Sequence, residues 1–91
     1  MAGLNSRIKS SAVSVGTTAV ALPTTALAGR KSMVIKNNGA AIVYLGHSGV
    51  SISNGYPLAA GAEVGLDIEQ NLIIYGRIAS GTVDVRLLEG V

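Results

Sequence analysis

Hydrophobic and polar residues alternate with a period of two over much of this chain, the mark of half-buried β-strands. The clearest run is Thr82 to Leu88. There Val83, Val85 and Leu87 share one face, and Thr82, Asp84 and Arg86 share the other. Ala62 to Ile68 repeats the pattern, with Ala62, Val64, Leu66 and Ile68 set against Glu63, Gly65 and Asp67. Leu72 to Ile78 carries Leu72, Ile74 and Ile78 on one face and Ile73, Tyr75 and Arg77 on the other. Gly76 inside that run suggests a bulge. Ser32 to Asn37 and Ala41 to Leu45 are apolar on both faces, which predicts central or doubly covered strands. Ser11 to Leu22 changes phase, because Val13 and Val15 have one parity and Val20 and Leu22 the other. A bulge near Gly16 would reconcile them, and Pro23 ends that strand or places it on an edge.

Turn residues punctuate these runs. Asn38-Gly39 between two apolar segments predicts a hairpin. Gly46-His47-Ser48-Gly49 and Asn54-Gly55-Tyr56-Pro57 read as loops, Ala60-Gly61 and Ser80-Gly81 as tight turns. The sum is about seven or eight short antiparallel strands, hence a small all-β sandwich or jelly roll. Residues 12–91 form its single domain. Residues 1–11, polar and without a hydrophobic period, read as an N-terminal arm.

Composition adds a constraint on stability. A chain of 91 residues buries only about 60% of its unfolded surface, so such domains gain stability from a disulfide, a metal or a partner. Cysteine is absent and His47 is the one histidine, which excludes disulfides, thiolate sites and multi-histidine metal sites. Partner subunits remain. Charged residues are 13% of the chain, about half the usual share, as suits a surface partly covered by neighbours. The charges are also segregated. Residues 1–36 hold Arg7, Lys9, Arg30, Lys31 and Lys36 and no acid, whereas all five acids lie beyond them. Such poles favour contact with a second copy or with an acidic partner. Arg7, Lys9, Arg30 and Lys31 are the candidate partner-contact residues. Five scattered cations without interleaved aromatics are a poor nucleic-acid footprint.

Residues 1–28 also imitate a secretory signal: Arg7 and Lys9, an apolar stretch from Ala12 to Leu22, then Ala26-Leu27-Ala28. The stretch is interrupted by Ser14, Gly16, Thr17 and Thr18, and its alternation at Val13 and Val15 favours a retained strand. No run reaches the roughly 20 apolar residues of a membrane span.

Chemistry is sparse. A nucleophile triad needs a base, and His47 stands alone in a Gly/Ser loop, with Ser48 beside it a turn residue. Glu63 and Asp67 are four residues apart on one strand face, about 13 Å, too far for paired-carboxylate hydrolysis. Gly29-Arg30-Lys31-Ser32 resembles the end of a P-loop, but Arg30 separates Gly29 from Lys31, and Thr25 stands where the first glycine belongs when counted back from Lys31. No enzyme activity, cofactor, metal or small-molecule substrate is expected.

The order of segments carries a resemblance. Ala26-Leu27-Ala28-Gly29-Arg30-Lys31-Ser32, Met33-Val34-Ile35-Lys36-Asn37 and Val43-Tyr44-Leu45-Gly46 are followed by Gly49-Val50 and Asn54-Gly55-Tyr56-Pro57-Leu58. Ser80-Gly81-Thr82 and Val85-Arg86-Leu87-Leu88-Glu89 close the series. Over roughly residues 12–89 the chain resembles small β-sandwich virion proteins of tailed bacteriophages. The resemblance implies a structural role in the virion, first as a capsid decoration (cement) protein binding the major capsid lattice in many copies. A tail, neck or fibre component is the alternative. A secreted ligand-binding sandwich, cleaved after Ala28 and stacking Tyr44, Tyr56 or Tyr75 on sugars, is a third reading.

Overall fold

The computed structural model describes residues 7–91. These residues form eight strands and no helix: β1 Ile8–Val15, β2 Val20–Leu22, β3 Ser32–Asn37, β4 Val43–Gly46, β5 Tyr56–Leu58, β6 Glu63–Asp67, β7 Ile74–Arg77 and β8 Val83–Gly90. One four-stranded sheet has the order β1-β8-β3-β6 and the other β2-β7-β4-β5. Every neighbouring pair is antiparallel.

The pairing has a simple logic. β1 with β8, β2 with β7, β3 with β6 and β4 with β5 are the rungs of one long hairpin whose tip is the β4–β5 loop. The remaining pairings, β3 with β8 and β4 with β7, arise when that hairpin rolls up on itself. The product is a jelly roll, the all-β class that the alternation predicts. β3 and β4 are interior strands of their sheets, as their two apolar faces require.

The inward residues are aliphatic. Val13, Val15, Leu22, Met33, Ile35, Val43, Leu45, Leu58, Ile78, Val83, Val85 and Leu87 pack into one core, each contributing about 1.5–3 kcal/mol on burial. At the end of the sandwich where β3 passes to β4, the fully buried Asn37 is a hub. Its Nδ2 donates to the carbonyls of Ala41 (2.7 Å) and Leu58 (2.9 Å), and its Oδ1 accepts from the Gly39 amide (3.0 Å). One side chain thereby joins the β3–β4 connection to the end of β5 with every polar atom satisfied.

Five expectations need correction. β1 starts at Ile8 and pairs along its whole length with β8, so residues 8–11 belong to the sandwich and not to an arm; residues 1–6 of that arm lie outside the described residues. The phase change between Val15 and Val20 is no bulge. It is the corner at which the chain leaves the first sheet for the second, so the inward parity resets. The segment resembling a secretory signal thus supplies β1 and β2, with Val13, Val15 and Leu22 in the core.

Asn38-Gly39 is not a two-residue hairpin either, because β3 and β4 lie in different sheets. Gly39 serves close packing instead: a Cβ there would fall 2.0 Å from Val83 Cγ2. Gly76 likewise stays in regular register with Val20 and Leu45, and a Cβ would meet Leu22 Cδ1 at 2.7 Å. Gly29, Gly61 and Gly81, at φ near +74°, +76° and +77°, hold the left-handed backbone that turns demand. The stretch read as a loop at Tyr56-Pro57 forms most of β5.

Gly39→Ala is expected to destabilise the fold by about 1–3 kcal/mol through overpacking against β-branched Val83. In a denaturant-melt cycle, the Gly39→Ala/Val83→Ala double variant should lose less than the sum of the single changes.

Candidate interaction surface

Each sheet of an open sandwich ends in two strands whose outer backbone groups have no partner, and natural proteins blunt such edges. Three of the four edges here are blunted. β2 is three residues long and stops at Pro23. β5 is equally short and contains Pro57. β6 carries Glu63 and Asp67 on its exposed face around Gly65. β1 is the exception. It runs for eight residues, has no proline, and bears Lys9 as its single charge.

The phase of β1 can be fixed. Val91 N–H donates to the Arg7 carbonyl at 3.0 Å, extending the register in which Ile8 faces Gly90. Odd-numbered residues of β1 therefore turn their N–H and C=O toward β8. Ile8, Ser10, Ala12 and Ser14 turn theirs to the open edge. The side chains of these four are exposed.

Beside this edge, the outer face of the β1 sheet is shallow and mixes apolar with charged side chains of both signs. A depression of about 390 Å³ is lined by Ser10, Val34, Leu88, Lys36, Arg86 and Glu63. A second, of about 310 Å³, lies over Ser10, Ala12 and Arg86 at β1 itself. Cross-strand register explains them. Ser10, Leu88, Val34 and Gly65 form one row, and Ala12, Arg86, Lys36 and Glu63 the next. Small residues at both ends of the first row leave half-exposed Leu88 and Val34 as an apolar floor. Arg86 Nε is held at 2.8 Å by Asp84 Oδ2, which also accepts from Asn38 Nδ2 at 3.0 Å. The Asn38 bond, then Arg86, hold the Asp84 carboxyl below its ordinary range.

The candidate contact residues separate into two groups. Arg7, Lys9 and Lys31 gather at one end of the sandwich. Arg7 and Lys31 flank the end of β8, where Val91 bonds Arg7 and the Lys31 amide donates to Gly90. Arg7 Nη2 donates to the Ala28 carbonyl at 2.7 Å and Lys9 Nζ to the Thr25 carbonyl at 2.8 Å, so both lean onto the β2–β3 connection. Lys31 is exposed.

Arg30 is not a surface contact, which corrects its assignment. It is 1% exposed and pairs with Glu89, itself 1% exposed, through Nη1–Oε2 at 2.8 Å. The acid it meets belongs to its own chain. Arg30 also donates from Nη2 to the Leu72 carbonyl (2.6 Å), from Nε to the Glu69 carbonyl (3.3 Å) and from Nη1 toward Met33 Sδ (3.5 Å). Glu89 Oε2 accepts a further bond from the Leu27 amide at 2.9 Å, while Oε1 is buried without a partner among the described residues. One ion pair therefore fastens β8, the β2–β3 connection and the β6–β7 connection together.

The other candidates stay apart. His47 is exposed in the loop after β4, its ring against Gly49. Glu63 and Asp67 point outward opposite Lys36 and Ser32. Tyr44 and Tyr75 lie on the outer face of the second sheet, with Arg77 opposite Tyr44, and Tyr56 is 63% exposed. Among the described residues, no three His, Cys, Asp or Glu side chains come together as a metal site would require. The chain matches no known protein-family model, and a comparison with curated protein sequences finds no relative.

Glu89→Leu should leave the Arg30 guanidinium buried and unpaired and cost about 3–5 kcal/mol of unfolding free energy. The Arg30→Met/Glu89→Leu double variant should recover most of that loss in the same denaturant melt. Arg30→Ala alone is expected to unfold the protein rather than reveal a surface contact.

Proposed function

We propose that this chain is a structural subunit of a tailed-bacteriophage virion, foremost a capsid decoration protein seated on the major capsid lattice. The observation that carries the reading is the open β1 edge. A strand of eight residues left unblunted beside a shallow face invites pairing with another chain. Such an edge suits a protein whose working state is an assembly. The jelly roll is compatible with that role, since viral shell proteins use it, as do lectin domains and cupins; this part of the argument is analogy of fold. The segment resemblance to small virion β-sandwiches adds to it.

The cations Arg7, Lys9 and Lys31 at one end supply the contact to an acidic partner surface. Their role is orientation and encounter more than affinity, because exposed charges are screened by salt. A secreted form cleaved after Ala28 fits less well. It would lose β1, β2 and three core residues.

Counting this chain in purified particles by quantitative mass spectrometry tests the proposal. Hundreds of copies per particle place it on the shell, and tens or fewer place it in the tail, neck or fibre. Its absence from particles overturns the virion role. Replacing Arg7, Lys9 and Lys31 together by alanine should lower particle occupancy, most visibly at raised salt, with the circular dichroism spectrum of the free protein retained.

A further inference from the structure

We propose that two copies of this chain pair through β1, antiparallel about a twofold axis at Ser11, joining their four-stranded sheets into one continuous sheet. The pairing is a property of the chain by itself and stands or falls apart from the virion reading.

The open edge is its own complement. The outward N–H and C=O groups belong to Ile8, Ser10, Ala12 and Ser14, as the Val91–Arg7 bond fixes. Setting Ile8 against Ser14 of a second copy, and Ser10 against Ala12, matches all four residues and gives about eight main-chain hydrogen bonds. A shift to centre the axis on Ser10 or on Ala12 loses a pair at one end. In the full register no like charges oppose, because Lys9 faces Val13. Ser and Ala in the middle let the backbones approach without steric conflict.

The axis itself supplies an independent observation. Ser11 is the central residue, and its Oγ is buried with no hydrogen-bond partner among the described residues, a state that leaves the desolvation of the hydroxyl uncompensated. In the proposed register Ser11 lies directly opposite its own copy as a non-hydrogen-bonded pair, with Cα atoms about 4.5 Å apart. A staggered change of χ1 brings the two hydroxyls together, so each gains the partner it lacks. A strand from an unrelated protein satisfies the main chain equally well, but it does not place a second hydroxyl at that point. Pairing β1 with another edge of a second copy fails on Pro23, on Pro57, or on the shorter β6. Two strands bury little area for a stable dimer, so the association is concentration-dependent and strengthens where copies are held close together.

The test uses the purified full chain. Sedimentation or native mass spectrometry across a concentration series should show the mass doubling. The chain has no cysteine, so single replacements report position cleanly. Oxidised Ser11→Cys should form a cross-linked dimer, whereas Ser14→Cys, exposed but far from its own copy, should not. Ala12→Pro removes an outward N–H that the internal ladder does not use. It should abolish the dimer while the circular dichroism spectrum is retained; Ala12→Lys, at an exposed position, does the same should the proline variant misfold. A chain that stays monomeric at every concentration, leaving the edge to a strand from another protein, overturns the proposal. So does a dimer that survives both Ala12 replacements, or equal cross-linking at positions 11 and 14.

Discussion

The buried contact between Arg30 and Glu89 is the interaction on which the closed form of this sandwich depends. Two sheets stacked face to face share side chains in the middle and little at the ends, where loops must cross between them. At one end a single guanidinium gathers carbonyls from the β6–β7 connection, while its carboxylate partner on β8 accepts an amide from the β2–β3 connection. At the other end Asn37 ties the β3–β4 connection to the end of β5. A uniformly aliphatic interior has little directional preference. These two polar clusters say where each loop must lie. The ion pair adds little net stability over an apolar substitute of equal volume. Its contribution is to penalise arrangements in which either loop is elsewhere, since those leave a charge unpaired in the interior.

Much of the architecture was legible from alternation alone. β6 and β8 appear where period-two patterning puts them, because each has one face on the core and the inward parity is unbroken, and β3 is interior as its apolar run predicts. What alternation lacks is any sense of which sheet a strand joins. The corner after Val15 therefore looked like a bulge, and Asn38-Gly39 looked like a hairpin although its strands belong to opposite sheets. Proline was a better guide to position: Pro23 marked β2 as peripheral, and β2 is an edge strand.

The candidate site was less legible, and Arg30 shows why. A cation just before an apolar strand has the local signature of a solvated residue, and its partner is distant in sequence. The missing signal lay in β8. Glu89 continues the inward parity of Val83, Val85 and Leu87, so an acid was being directed into the core and required a counter-charge. The open edge of β1 was hidden for a different reason. Ile8 to Ser11 are too polar to read as a strand, and they become one because β8 offers a long partner ladder.

The rolled hairpin also decides where this chain can be joined to something else. β1 begins and β8 ends side by side, close enough for Val91 to bond Arg7. Anything covalently attached before residue 7 or after residue 91 therefore leaves from one pole, alongside Arg7 and Lys31. The opposite pole, with the turns at Gly61 and Gly81, stays clear. Because Arg7 and Val91 are hydrogen-bonded neighbours, the backbone from residue 7 to residue 91 is close to a ring. A short bridge between those two residues, with new ends opened at Ser80-Gly81, would preserve every strand while sending an attached cargo out of the other side.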